Sequence, residues 1–517
     1  MKTNRSMTLS GTIALIALPW LMVQPVAAQD LVQEKIVTLS AKAQINKLAH
    51  LEFDQENKTY ELFFVTKAKK DYAKLETYLI DKDFNLVKSD ASEVMLKDLT
   101  GKYKWWKYTG ETDVIEGLFI DPKDNLVLKK KQLTGEFNWL TLSYVYKTKV
   151  LQKVKMRNEE GEKYFLIKYY LDDKTGGAYV LAGVRDKSDK NRQWTDIHFL
   201  KINKDLDVEK KLSLDLKNPV NVMGNKVLED SEGGLENWLF LMQDKDNSGK
   251  SLFLNISSDC QVVDRIEFEV RDPSWTVEDI LYHAGSGAVC VFGPSGKGAF
   301  QNLKFADQKL VYNTITPFTE FKEKFRKPSS QKKGDPYSGK TFSIGGADFL
   351  DDGTLLIMGQ NWDMGGASNV MSMVGGSGDI SARYMDSFLF HFDPEGKFIG
   401  QYCYYTKDKG WSNDYPNSQL ILRGTSGKHF YWLVMPVDQF GFTHHPSMIC
   451  KIDKEQSTME EFKIINDFGK EKGIFFHNYD YPWFDAGDGK IVFFGSVLGS
   501  PASYKTNKVW FSEFRLD

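Results

Sequence analysis

The stretch Tyr78-Leu-Ile-Asp-Lys-Asp-Phe-Asn-Leu-Val87 returns far downstream as Phe390-His-Phe-Asp-Pro-Glu-Gly-Lys-Phe-Ile399. Each is an alternating strand, a polar turn and a second strand. Leu200-Lys-Ile-Asn-Lys-Asp-Leu-Asp-Val208 and Ile449-Cys-Lys-Ile-Asp453 carry the same pattern. Apolar–polar alternation is the period of a half-buried strand, and Asp, Asn and Gly between two such runs mark a tight turn.

A second turn signal precedes each fragment and can be followed along the chain. It reads Glu56-Asn57, Asp124-Asn125, Gly176-Gly177, Gly233-Gly234, Ser286-Gly287, Asp352-Gly353, Ser426-Gly427 and Asp488-Gly489, at intervals of 52 to 74 residues. Gly and Asn accept the positive φ that two-residue hairpins demand. Apolar strands follow, among them Phe430-Tyr-Trp-Leu-Val434 and Ile491-Val-Phe-Phe494. The repeated unit is strand, turn, apolar strand, variable loop, third strand, turn, fourth strand. Helical periodicity is almost absent.

Four-stranded units at this period resemble the blades of a β-propeller. The resemblance covers the mature chain at the level of architecture. It implies an all-β fold and a single β-propeller of eight four-stranded blades over residues 29–517. Seven blades with one irregular pair, or two smaller β domains, are the alternatives. The signatures of named propeller families are missing: no Trp-Asp repeat ending, no kelch double-glycine set, no complete sialidase box and no adjacent Cys-Cys. The last unit ends at Val509-Trp-Phe-Ser-Glu-Phe-Arg-Leu-Asp517, one strand short. Residues 35–40, Lys35-Ile-Val-Thr-Leu-Ser40, have the pattern of that missing strand. They are expected to pair with the C-terminal blade and close the ring, leaving no long exposed edge.

Composition agrees. Of 517 residues, 41% are hydrophobic and 14% aromatic, which excludes a disordered chain, a collagen-like fibre and a small disulfide scaffold. The aromatics are expected between blades packed face to face.

Residues 1–28 read as a secretory signal peptide, with Lys2 and Arg5, an apolar run from Ile13 to Val23 and the small residues Ala27 and Ala28 before the cut. The protein is therefore expected in the periplasm or the extracellular medium, as a monomer with no transmembrane anchor after cleavage. The full chain carries a net charge of −3, and removing the signal takes two positive charges and no negative one, leaving −5. A mildly acidic surface repels phosphate backbones, so no nucleic acid partner is expected. The Lys-rich piece 322–340 is read as a solvated connector. Cys260, Cys290, Cys403 and Cys450 lack CxxC spacing, so no zinc site is indicated. Buried free thiols are expected, with a Cys403–Cys450 bridge as the alternative in an oxidising compartment.

The loops between second and third strands, and those between blades, should share one face. A flexible insertion, 361–386 in the sixth unit, holds five glycines and four methionines beside Trp362, Asp363, Arg383 and Tyr384. Two junctions repeat Asp-Tyr-Pro: Trp411-Ser-Asn-Asp-Tyr-Pro416 and His477-Asn-Tyr-Asp-Tyr-Pro-Trp483. An aromatic beside a carboxylate suits a sugar ring; packing between blades explains the same residues. Candidate ligand-binding residues are Trp362, Arg383, Tyr384, Trp411, Tyr415, His445, Tyr479 and Trp483. Candidate catalytic residues are Asp363, Asp414, His444, His477 and Asp480. Asp244-Lys-Asp-Asn-Ser-Gly249 resembles the start of a calcium loop through Asp244, Asp246 and Ser248, but Asn255 stands where the closing glutamate belongs. Calcium is the one cofactor suggested, and an ordinary turn, for which Asp and Gly are the usual residues, is the favoured reading.

No motif names a reaction, and fold does not fix function. The first reading is an exported propeller that binds a protein or glycan through its loop-rich face. The alternative is a carbohydrate-active hydrolase or lyase using acids and histidines of blades six to eight. That alternative requires two such groups to converge in one deep site.

Overall fold

The computed structural model describes residues 31–68, 72–95, 114–121, 126–138, 143–172, 174–185, 194–216, 218–296, 298–339, 341–364, 382–406, 416–435, 447–465, 474–478, 481, 483–498 and 506–516. After the N-terminal strand β1 (Leu31–Thr38), the first sheet is β2 (Leu48–Asp54), β3 (Thr59–Ala68), β4 (Tyr72–Ile80) and β5 (Leu86–Met95). The second is β6 (Val114–Asp121), β7 (Val127–Asn138) and β8 (Ser143–Lys155). The third is β9 (Phe165–Asp172), β10 (Gly177–Arg185), β11 (Trp194–Ile202) and β12 (Val208–Ser213). The fourth is β13 (Val220–Glu229), β14 (Leu235–Asp244), β15 (Lys250–Ser257) and β16 (Val262–Glu269). The fifth is β17 (Asp279–His283), β18 (Ala288–Ser295), β19 (Ala299–Ala306) and β20 (Lys309–Pro317).

Helix α1 (Phe318–Glu323) and β21 (Phe325–Arg326) lead into the sixth sheet. It comprises β22 (Phe342–Phe349), β23 (Leu355–Met364), β24 (Ala382–Phe392) and β25 (Phe398–Tyr404), with β21 added in parallel outside β25. The seventh is β26 (Ser418–Arg423), β27 (His429–Met435), β28 (Met448–Asp453) and β29 (Lys463–Ile464). In the eighth, β30 (Ile474–His477) and β31 (Trp483–Gly487) both pair with β32 (Lys490–Leu498), followed by β33 (Lys508–Arg515) and then β1.

Apart from the added β21 and β1 and the shared pairing of β30 and β31, each sheet follows chain order, and first strands of successive sheets lie side by side: β13 with β17, β17 with β22, β22 with β26. This is the β-propeller arrangement, with eight sheets among the described residues. The N-terminal strand pairs antiparallel with β33, Ile36 opposite Trp510 and Val37 opposite Val509. The strand is Leu31–Thr38 rather than 35–40. Its earlier start shows only in its pairing, because Gln33 and Glu34 interrupt the apolar alternation.

The turn glycines have the conformation that selects them. Gly176, Gly233, Gly287, Gly353, Gly427 and Gly489 all have positive φ, between 67° and 88°. Fourth strands open on a similar turn, in which Phe84, Leu206 and Cys260 take positive φ with their side chains buried.

Packing runs from sheet to sheet. Leu126 and Leu128 of the second sheet meet Val180 and Leu200 of the third. Tyr179 and Phe199 meet Trp238 and Phe240 of the fourth, and Phe253 meets Phe305 of the fifth at 4.4 Å with nearly parallel planes. Tyr431 and Leu433 of the seventh sheet meet Phe493 and Trp510 of the eighth. The eighth meets the first through Tyr60, Phe64, Phe84, Phe494 and Phe511. The aromatics thus lie where flat rings fill the space between sheets.

The connector 322–340 is not a solvated strap. Phe321 is fully buried, stacked on Phe398 at 4.0 Å, and Tyr337 is 2% exposed. Gln401, itself buried, accepts the Tyr337 N–H through its Oε1 and donates to the Phe321 carbonyl. Ser329 Oγ donates to Glu461 of the seventh sheet at 2.6 Å. Lys322, Lys332 and Lys333 are exposed, Lys324 Nζ instead donates to the Phe398 carbonyl at 2.6 Å, and the piece is anchored by its own Tyr337 and by Phe318 and Phe321 just ahead of it. All four cysteines are free and buried, so Cys403 and Cys450 form no bridge.

Candidate functional site

The β14–β15 loop and the connection between third and fourth sheets flank an open groove of about 350 Å³. Its apolar lining is Leu216, Val220, Leu252 and Phe268; its polar lining includes Asn218, Asp244, Lys250, Arg265, Glu267 and Glu269. Strand β16 produces this by alternation. Arg265, Glu267 and Glu269 are exposed on one face of the strand, Ile266 is buried toward the fifth sheet, and the half-buried Phe268 packs on that core while also bordering the groove. Arg265 Nη1 donates to the Leu214 carbonyl at 2.9 Å, fixing the connection to the sheet, and its Nη2 lies 3.7 Å from Glu267. The groove offers an apolar floor with carboxylates and cations at its rim.

Asp244 joins this groove to the calcium-like loop. Its Oδ1 accepts the N–H groups of Asp246 and Asn247, and its Oδ2 accepts Asn218 Nδ2 at 2.6 Å. This is an Asx turn, which Asp favours on its own. Burial would raise the Asp244 carboxyl, but the Asn218 side chain and the turn amides hold it below its ordinary value. Among the described residues no group of three His, Cys, Asp or Glu side chains is arranged to hold a metal.

The other candidates scatter. Trp362 stands opposite Tyr384, and Asp363 opposite Arg383, across the β23–β24 ladder. Residues 361–364 and 382–386 thus belong to β23 and β24, and residues 365–381 lie outside the described residues. Both Trp362 and Tyr384 are half-buried. His477 closes β30, its ring edge-on to Trp510 at 4.8 Å and to Phe493 at 5.8 Å, a packing position. Tyr481 of the second Asp-Tyr-Pro hydrogen-bonds His50 Nδ1 at 2.9 Å, joining eighth sheet to first. Trp483 opens β31 and is 36% exposed. Asp414, His444, His445, Asp480, Trp411, Tyr415 and Tyr479 lie outside the described residues.

Two acid–histidine pairs form elsewhere among the described residues: His429 Nε2 lies 3.5 Å from Asp453 across the β27–β28 ladder, and the second involves His198. His198 Nε2 lies 3.2 Å from Asp196 and its Nδ1 is 3.0 Å from the Tyr164 hydroxyl. His198 is 3% exposed and Tyr164 2%, so the cluster lies between second and third sheets. Burial holds His198 below its ordinary value despite Asp196. It is a polar joint in which His198 and Tyr164 are buried and Asp196 reaches solvent.

The groove itself was missed in the sequence. Alternating charge on a fourth strand reads as a solvated face, and only the spacing of Arg265, Glu267 and Glu269 hinted at a shared side.

No family model matches the chain, and no curated protein matches it in sequence. Solved structures similar to it include Kluyveromyces lactis Hsv2, 10% identical, covering 80% of this chain and 97% of that one with a TM-score of 0.29. The WD40 domain of SCAP from fission yeast is 8% identical, covering 94% and 98% with a TM-score of 0.27. The Nup133 β-propeller domain of Vanderwaltozyma polyspora is 9% identical, covering 87% and 99% with a TM-score of 0.27. Similarity this remote speaks to no ligand.

Proposed function

We propose that this chain is an exported binding protein that takes a protein segment or a glycan on its loop-bearing face. The observation that carries the reading is the groove on the fourth sheet, bordered by the connection that leads into it. Its floor is apolar, its rim bears Lys250 and Arg265 against Glu267 and Glu269, and it is open to solvent. Binding sites of this kind use apolar contact for affinity and a few placed polar groups for orientation. Export rests on the apolar run and small residues of 1–28.

The test is glycan-array and peptide-array binding by the mature chain, followed by calorimetry on any ligand found. Lys250→Ala and Glu267→Gln change exposed rim groups and leave the fold alone. Weakened binding in these variants supports the groove; unchanged affinity in both removes it. Turnover of a bound glycan would replace this reading with the hydrolase alternative. Export is checked separately by the N-terminal residue of the mature product, expected to be Gln29.

A further inference from the structure

The second sheet stands apart from its neighbours. Among the described residues it consists of β6, β7 and β8, with β8 at its outer edge. Every other sheet carries a further strand outside the one corresponding to β8. An edge strand presents a row of unpaired N–H and C=O groups that another chain can meet. This edge is thirteen residues long, with Val150 50% and Leu151 40% exposed and Lys149, Lys153 and Lys155 exposed around them.

Charge says what would fit. Strands β7 and β8 contain seven lysines and one acid, Glu136, in a chain of net negative charge. Elsewhere in the molecule a lysine on the third strand meets a glutamate on the fourth. Lys74 of β4 lies 3.6 Å from Glu93 of β5, and Lys201 of β11 lies 3.9 Å from Glu209 of β12. The second sheet has the lysines and, among the described residues, no such fourth strand. Lysines along an edge deter neutral or basic strands and select an acidic one.

We propose that β8 receives an extended acidic segment of a partner polypeptide as the fourth strand of the second sheet. Main-chain hydrogen bonds supply the pairing, and the lysines set the choice of partner. The surface is on a different sheet from the groove and is independent of it.

The probe is a synthetic peptide of about nine residues alternating glutamate and valine, offered to the mature chain at low salt. Expected are saturable binding, amide-exchange protection gained over 143–155, and loss of about tenfold or more in affinity for Lys149→Glu/Lys153→Glu. That double variant should melt as wild type does, since both residues are exposed. The same peptide N-methylated at alternate residues keeps its charge but lacks the donors, and should not bind. Equal binding of the N-methylated peptide overturns strand addition. So does equal protection by a sulfated polysaccharide, which would make the surface a general polyanion site. Protection of the β8 amides in the free chain also overturns it, by showing the edge already covered.

Discussion

Phe84 stacks on Phe511 with ring centroids 5.1 Å apart and planes 19° apart, so a turn of the first sheet is fastened to the last. Phe84 takes this position at φ +57°, a conformation that L-residues other than Gly rarely adopt. The strain costs about 1–2 kcal/mol, and burying the whole ring offsets it with about 2–3 kcal/mol. Phe84→Ala should destabilise by about 3–5 kcal/mol, because it leaves a cavity and keeps the strain. Phe84→Gly relieves the strain but still loses the stacking. Urea titration of both variants checks this, and a Phe84→Gly chain as stable as wild type would refute the role of the ring.

The strand that precedes the first sheet belongs to the last. Leu31–Thr38 pairs along β33, and Val37 is 6% exposed in the core between eighth and first sheets. Removing residues 31–38 unpairs the edge of β33 and uncovers part of that core. The truncated chain should aggregate or melt far lower, with rapid amide exchange over Lys508–Arg515. Val37→Asp, which places an unpaired charge in the same core, should act in the same direction through another mechanism. A truncated chain that remains soluble and melts as wild type would sink the claim.

Stability should depend on pH through His391. The residue is 1% exposed, with Nδ1 3.3 Å from the Tyr402 hydroxyl, and burial holds its imidazole down to about 4 against an ordinary 6.5. A histidine that is harder to protonate when folded favours the folded state above pH 6.5. That contribution is lost as pH falls from 6.5 toward 4. At pH 5 the loss is about 2 kcal/mol from this residue. Denaturant midpoints measured at pH 7.5 and pH 5 should separate less for His391→Phe than for wild type. An equal separation would place the acid sensitivity elsewhere.

The Asp244–Gly249 turn is built by its own hydrogen bonds. Asp244 gives its oxygens to the Asp246 and Asn247 amides and to Asn218. Neither calcium nor a chelator should move the melting temperature of the protein. Asp244→Ala should cost about 1 kcal/mol, the usual worth of a side chain that caps turn amides. A calcium-dependent rise in melting temperature that Asp244→Ala abolishes would show the turn to be a cation site.

The repeat was legible because turns and strands write themselves locally. Gly176, Gly233 and Gly427 are glycine because φ is positive there, so a short window suffices to find them. The pairing of β1 with β33 was legible from a deficit, one unit ending short while an unassigned strand waited at the other end. The connector misled for the opposite reason. Its lysines dominate the composition, while Phe321 and Tyr337 find their partners, Phe398 and Gln401, tens of residues away. The setting of His477 was hidden too, because a sequence does not show that Trp510 lies against it. The groove was hidden most completely, since it joins a linker, a loop and one face of β16, whose proximity exists only after the sheets stack.

The thiols offer a check on that stacking. Cys403 on β25 and Cys450 on β28 are fully buried, as is Cys290 on β18, and Cys260 is 8% exposed. Burial pushes Cys260 up to about 11 and Cys290 up to about 12, and raises Cys450 further. The thiolate is the reactive form, so at pH 8 these groups are both shielded and protonated. Iodoacetamide should label none of the four in the folded chain and all four in denaturant. Cys260 should be first as denaturant rises, because it lies in a turn at the rim of its core rather than within a strand. Two labels rather than four after denaturation without reductant, with Cys260 and Cys290 the labelled pair in a peptide map, would mean that Cys403 and Cys450 are joined. The sixth and seventh sheets would then meet in a different register from the one that buries Phe430 against His391.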